Sequence, residues 1–152
     1  MDKLTITKPD DWHVHLRDGE LLGDALRHTA RQFARAVVMP NLSPPVTTVA
    51  AAKAYAQRIM QACKLLEPSE IGHFEPLMTL YLTDNTPPDE IEKAKAAGIV
   101  CVKLYPAGAT TNSAAGVTNI ALCDATLEKM AQIGVPLLVH GEVTSAQIDL
   151  FD

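Results

Sequence analysis

The chain has 152 residues, with 13 Lys and Arg against 18 Asp and Glu, and a formal net charge of −5. Hydrophobic residues make up 47% and charged residues 20%, the balance of one folded domain with a core rather than of a disordered chain. An acidic chain with no basic run is no general binder of nucleic acid or anionic membrane. Its longest apolar run falls short of the roughly 18 residues a membrane span needs.

The N-terminal MDKLTITKPDDWHVH carries charges where a signal peptide needs an apolar stretch. Trp12–Leu16 reads as a first strand. Leu22, Ala25, Leu26, Thr29, Ala30 and Phe33 then form a helical stripe over Leu21–Phe33. Ala34–Met39 is a second strand, stopped by Pro40-Asn41. An alanine-rich helix follows from about Thr47 to Ala62, and Leu77–Leu82 is a third strand. Thr86-Pro87-Pro88-Asp89-Glu90 opens a helix with a hydroxyl, prolines for the first turn and acids against the dipole; Gly98 ends it. Ile99–Tyr105 is a fourth strand. After a polar loop, a helix over Asp124–Ile133 is ended by Gly134 and followed by a fifth strand, Val135–His140. A last helical pattern begins near Ser145. The three cysteines, Cys63, Cys101 and Cys123, have no CxxC spacing and read as buried free thiols of a reducing compartment, the cytoplasm.

Strand and helix alternate about five times, with crossovers long enough for parallel strands. A doubly wound sheet would be complete at this length, whereas a (β/α)8 barrel needs eight repeats and about 250 residues. The first strand runs into HLRDGE rather than a glycine-rich phosphate loop, which disfavours a nucleotide-binding domain.

The polar residues carry the chemistry. His13 and His15 sit two apart, so period two puts both imidazoles on one strand face, half of a metal site; two half-buried histidines bonded to neighbours is the plainer alternative. Lys103 interrupts an apolar strand. It either snorkels to solvent or is a neutral amine in use, for example reacting with CO2 to a carbamate that bridges two metals. His140 ends the fifth strand before Gly141-Glu142. All four lie at or near carboxyl ends of strands, where α/β sites are built. Arg17 and Asn41 suit a substrate carboxylate, or else turn and cap work. Pro106–Ser113 has the composition of a mobile active-site loop or of an ordinary connection. His28 and His73 read as bystanders.

The stretches PDDWHVHLRDGE (9–20), VVMPNLSPPVTTV (37–49), PLMTLYLTD (76–84), KLYPAGATTNS (103–113) and PLLVHGEVT (136–144) resemble the dihydroorotases of the bacterial pyrimidine pathway, a shorter-chain class of the amidohydrolase superfamily. The resemblance covers essentially the whole chain. It implies an α/β fold made of the first five strand–helix repeats of a (β/α)8 TIM-type barrel, incomplete in this chain, with residues 1–152 as the N-terminal part of a single barrel domain. It implies two Zn2+ held by His13, His15, His140 and a carboxylated, CO2-derived carbamate on Lys103. His15, Leu16, Arg17, Asn41 and His140 would contact the substrate, and Thr110 and Thr111 would close over it. The implied reaction interconverts L-dihydroorotate and N-carbamoyl-L-aspartate in a cytoplasmic enzyme that is a homodimer at full length.

The family's remaining histidine ligand and its catalytic aspartate follow later strands. Asp149, Asp152 and Glu142 do not match that aspartate, so it is expected beyond residue 152, in a missing or complementing C-terminal chain, and the isolated chain is expected to lack full activity. The rivals are another metal-dependent cyclic amidase, such as an allantoinase or hydantoinase, and a non-catalytic homologue acting as an assembly partner.

Overall fold

The computed structural model describes residues 3–144. Five strands, β1 (Asp10–Val14), β2 (Arg35–Val38), β3 (Glu75–Tyr81), β4 (Cys101–Leu104) and β5 (Leu137–Val139), form one parallel sheet in the order β1-β2-β3-β4-β5. The helices between them are α1 (Glu20–Gln32), α2 (Val49–Cys63), a short α3 (Pro68–Ile71), α4 (Pro88–Ala96) and α5 (Asp124–Ile133), the last preceded by a 3-10 turn at Ile120–Cys123. A sequential parallel sheet whose connections carry helices is the arrangement of a half-barrel, five of the eight strands that close a (β/α)8 fold. Among the described residues β1 and β5 are its edges.

Local chemistry accounts for the elements. In α1 the buried residues Leu22, Leu26, Thr29 and Ala30 recur at helical spacing. Thr48 caps α2 by accepting from the Ala51 N–H at 3.2 Å. The Glu90 carboxylate, in the first turn of α4, reaches across to accept the Val49 N–H at 2.7 Å, so one acid serves two helix N-termini. Pro88 begins α4 and Gly134 ends α5 in the left-handed conformation, φ 69° and ψ 47°.

The main core lies between sheet and helices, where Leu26, Ile59, Leu80, Ile91 and Val102 are fully buried, each worth about 1.5–3 kcal/mol relative to exposure. The other sheet face carries a smaller cluster of Val37, Met39 and Cys101, with Leu77 and Leu138 against it. That inner face can be followed through the register: Val37 lies opposite Leu77, Thr79 opposite Cys101, Tyr81 opposite Lys103, and Lys103 opposite Leu138. Side chains at paired positions of neighbouring strands share a face.

Several expected boundaries move. The first strand covers Asp10–Val14, so His15 and Leu16 follow it. The third begins at Glu75, and α3, four residues opened by a proline, was too short to leave a periodic signal. Cys101 and Cys123 are buried, but Cys63, on the last turn of α2, is only half-buried; all three thiols are free. The helical pattern from Ser145 lies outside the described residues. No helix among the described residues is long and apolar enough to cross a membrane.

Candidate metal centre

The β1–β2 register contains an irregularity that places the first two candidates. Asp11 pairs with Ala36 and Val14 with Val38, so three steps on β1 match two on β2. This is a bulge, a device that re-aims side chains at the rim of a sheet. Val14 keeps contact with the helix-side core, and on either side of it His13 and His15 turn towards each other. Their Nε2 atoms are 3.2 Å apart, with ring centroids at 5.1 Å. Two Nε2 atoms bound to one tetrahedral zinc at about 2.0–2.1 Å would be separated by about 3.3 Å. The pair therefore has the spacing of a shared ion, and its donor set fits one.

Burial lowers the pKa of both imidazoles. At His13 the Lys103 charge adds to burial; at His15 the Arg17 charge and then His13 do so. Both are thereby held neutral near pH 7, the form that ligates metal.

Lys103 lies on β4 and is 3% exposed. It does not snorkel. No carboxylate pairs with it among the described residues, and burial lowers its pKa. Its Nζ lies 5.1 Å from the centroid of the Tyr105 ring, which stacks on Tyr81 at 5.2 Å and stands 5.9 Å from the His140 ring. The hydroxyls of Tyr81 and Tyr105, and His15 Nδ1, are buried without a hydrogen-bond partner among the described residues. Burial pushes the Tyr81 phenol up to about 12 and raises Tyr105 as well, so both hydroxyls stay protonated.

His140 follows β5, and its N–H donates to the Leu104 carbonyl at 3.0 Å. Its Nε2 is 2.8 Å from Glu142 Oε2, which turns the ring towards that acid. Among the described residues, no three His, Cys, Asp or Glu side chains are gathered closely enough to hold a metal ion. The structure joins His13 to His15, and Lys103 to Tyr105 and His140. The two groups sense each other electrostatically: Lys103 and His140 lower the His13 pKa, and Lys103 lowers that of His15.

The substrate candidates form a rim. Arg17 has a left-handed backbone, φ 61°, costly for a non-glycine residue. Its carbonyl is captured at 2.6 Å by the hydroxyl of the fully buried Tyr55. The Leu16 side chain belongs to the helix-side core, so only its backbone can face a ligand. Buried Asn41 is tied to the 106–117 loop: its Nδ2 donates to the Thr111 carbonyl at 3.0 Å, and the Asn41 backbone carbonyl accepts from Asn112 Nδ2 at 3.1 Å. Within the loop the Ser113 hydroxyl accepts the Thr110 N–H at 2.8 Å and donates to the Thr110 carbonyl at 2.6 Å. The side chains of Thr110 and Thr111 remain exposed. His28 and His73 are exposed on the outside of the fold.

The sequence reading passed over Tyr81 and Tyr105. The signal was present in KLY, where period two puts Tyr105 on the face of Lys103.

The profile of the amidohydrolase family matches residues 8–150. The chain belongs to the amidohydrolase family. It is 63% identical to a dihydroorotase of Alkalilimnicola ehrlichii over 153 residues, a match that takes in 100% of this chain and 43% of that protein. Among solved structures, this amidohydrolase chain superposes on a dihydroorotase of Campylobacter jejuni with a TM-score of 0.80 at 44% identity, covering 91% of this chain and 39% of that one. A dihydroorotase of Saccharomyces cerevisiae, in complex with 5-fluoroorotic acid, gives a TM-score of 0.78 at 31% identity over 93% and 38% of the two chains. The chain thus spans less than half the length of the dihydroorotases it matches.

Proposed function

We propose that these 152 residues supply the first part of a dihydroorotase site, in which L-dihydroorotate and N-carbamoyl-L-aspartate are interconverted. One observation carries the reading: two histidine nitrogens meet at ion-sharing distance in a chain 63% identical to a dihydroorotase, and a buried lysine without a counter-charge among the described residues lies on the same sheet face. In the hydrolytic direction the oxygen of water adds to a ring carbonyl carbon, the carbon–nitrogen bond breaks, and the ring nitrogen takes a proton.

His13, His15, His140 and Lys103 carrying a CO2-derived carbamate would hold two zinc ions. When bound, the ions supply positive charge that acidifies water and polarises a carbonyl oxygen. His140 would ligate through Nδ1 with Glu142 still on its Nε2, or through Nε2 after exchanging Glu142 for metal.

The chain's other residues bind and orient. The Arg17 guanidinium pairs with the substrate carboxylate as a planar fork, aimed by a backbone that Tyr55 locks. Asn41 offers its amide to the same carboxylate, releasing Thr111 as it does so. The Leu16 backbone and His15 line the near side, and Thr110 and Thr111 cover the substrate and exclude water. The proton shuttle belongs to polypeptide outside these residues, either a continuation of this chain or a complementing one. The whole enzyme is a homodimer in the cytoplasm, whose reducing conditions keep Cys63, Cys101 and Cys123 as thiols.

The test combines this chain, zinc and bicarbonate with a polypeptide covering the remainder of a dihydroorotase, and assays hydrolysis of dihydroorotate and of hydantoin. Turnover of dihydroorotate only in the combined sample is expected. Hydantoin as the preferred substrate, or robust turnover by the verified isolated chain, would overturn the assignment or the division of labour respectively.

A further inference from the structure

Three neighbouring polar residues on the inner face lack a partner among the described residues. Among the described residues, Lys103 Nζ has no carboxylate near it, and the buried Tyr81 and Tyr105 hydroxyls have no hydrogen-bond partner. Tyr81 is the register partner of Lys103 on the adjoining strand, and Tyr105 follows Lys103 by two residues. The two rings stack on each other, and the Lys103 ammonium lies against Tyr105. A phenylalanine would fill either ring position equally well, and a buried hydroxyl without a partner is costly. The pattern of deficits is specific. A cation lacks an anion and two donors lack an acceptor among the described residues, and the ammonium and the two stacked rings adjoin one another.

We propose that Tyr81 and Tyr105 are positioning residues that hold a carbamate on Lys103 by donating hydrogen bonds to its oxygens. This rests on the reading above that Lys103 takes up CO2. In that step the ammonium first gives a proton to solvent. The Nζ lone pair then attacks the carbon of CO2, and one C=O electron pair moves onto oxygen as the N–C bond forms. Nζ releases a second proton, so one CO2 is taken up for two protons lost. The side chain changes from a cation to an anion with two acceptor oxygens, and the surroundings it needs change from acceptors to donors. Phenol hydroxyls are such donors, and hydrogen bonds to a charged acceptor are the stronger kind. The carbamate satisfies the tyrosines as the tyrosines orient the carbamate.

The test uses Tyr81→Phe, Tyr105→Phe and the double variant, each combined with a polypeptide covering the remainder of a dihydroorotase, zinc and 13C-labelled bicarbonate. Carbamate is read as the protein-bound 13C resonance and as the CO2 increment in intact mass. Each single variant is expected to need roughly ten times more bicarbonate for half occupancy than the parent chain, the loss expected for one charge-assisted hydrogen bond, and the double variant more again. In CO2-free buffer with a chelator, the variants should melt at the parent temperature or above it, which separates this role from a packing role. Equal labelling of parent and double variant would overturn the tyrosine assignment alone. A parent chain that takes no label at any bicarbonate concentration would overturn the carbamate reading, and the tyrosine role with it.

Discussion

Replacing Lys103 by methionine should stabilise the metal-free, CO2-free chain. The side chain is 3% exposed with no counter-ion among the described residues, and an ion held in such a place costs several kcal/mol after relaxation. The contact with the Tyr105 ring returns about 0.5–2 kcal/mol of this. Methionine has similar length and fills the space without charge, so a net gain of about 2 kcal/mol is expected. For a domain of this size that is about 4–8 °C in Tm. The pH dependence separates this account from a simple packing gain. Burial lowers the folded-state pKa of Lys103 below the ordinary 10.5, so the unfolded chain binds its proton more tightly. The destabilisation is fully present below the folded pKa and is relieved as pH rises from there towards 10.5. The advantage of Lys103→Met should therefore shrink across that window. Thermal melts in chelator and degassed buffer at a series of pH values measure it. A variant no more stable than the parent at neutral pH, or an advantage constant up to pH 10.5, would refute the reasoning. The same variant should lose zinc uptake, since methionine cannot react with CO2.

Asn41→Ala removes the tie to Thr111 and should open the 106–117 loop about fivefold more often, from a bond worth about 1 kcal/mol; amide hydrogen exchange of that peptide measures it. Gly116→Ala would put a Cβ 2.4 Å from the Tyr105 carbonyl oxygen and 2.9 Å from that of Ser113. It should cost about 1–3 kcal/mol, read by chemical denaturation. Asp84 accepts the Thr118 N–H at 2.9 Å and the Thr118 hydroxyl at 2.6 Å, and these bonds hold its pKa below the usual carboxylate value. Its stabilisation is present above the unfolded pKa and lost as pH falls through the folded one, so Asp84→Asn should flatten the decline of Tm below about pH 4.

The strands were legible because a parallel sheet covered by helices writes near-continuous apolar runs, as in ARAVVM and IVCVKLY. The helices were legible because Leu22, Leu26, Thr29 and Ala30 keep their period. The choice between a closed doubly wound sheet and part of a barrel was not in the pattern, since both write the same alternation. It is decided by the strand order, which runs in chain order without reversal, and by the matched relatives. At the site, His13, His15 and Lys103 stood out as charge or imidazole in apolar strands. The bulge that aims His13 and His15 did not, because an extra residue is visible only against the partner strand. Nor did the locked Arg17 backbone, which depends on a Tyr55 hydroxyl 38 residues away.

Because each strand pairs with the one made just before it, the sheet can be laid down in the order in which the chain leaves the ribosome. Every new strand docks on an edge already waiting, and a growing chain needs no earlier pairing undone to admit it. The chemistry arrives on the same schedule: His13 and His15 come with the first strand, Tyr81 with the third, Lys103 and Tyr105 with the fourth and His140 after the fifth. A buried lysine is thus enclosed only after the tyrosine opposite it is in place, and His140, the last of the proposed ligands, arrives after the strands that carry the others.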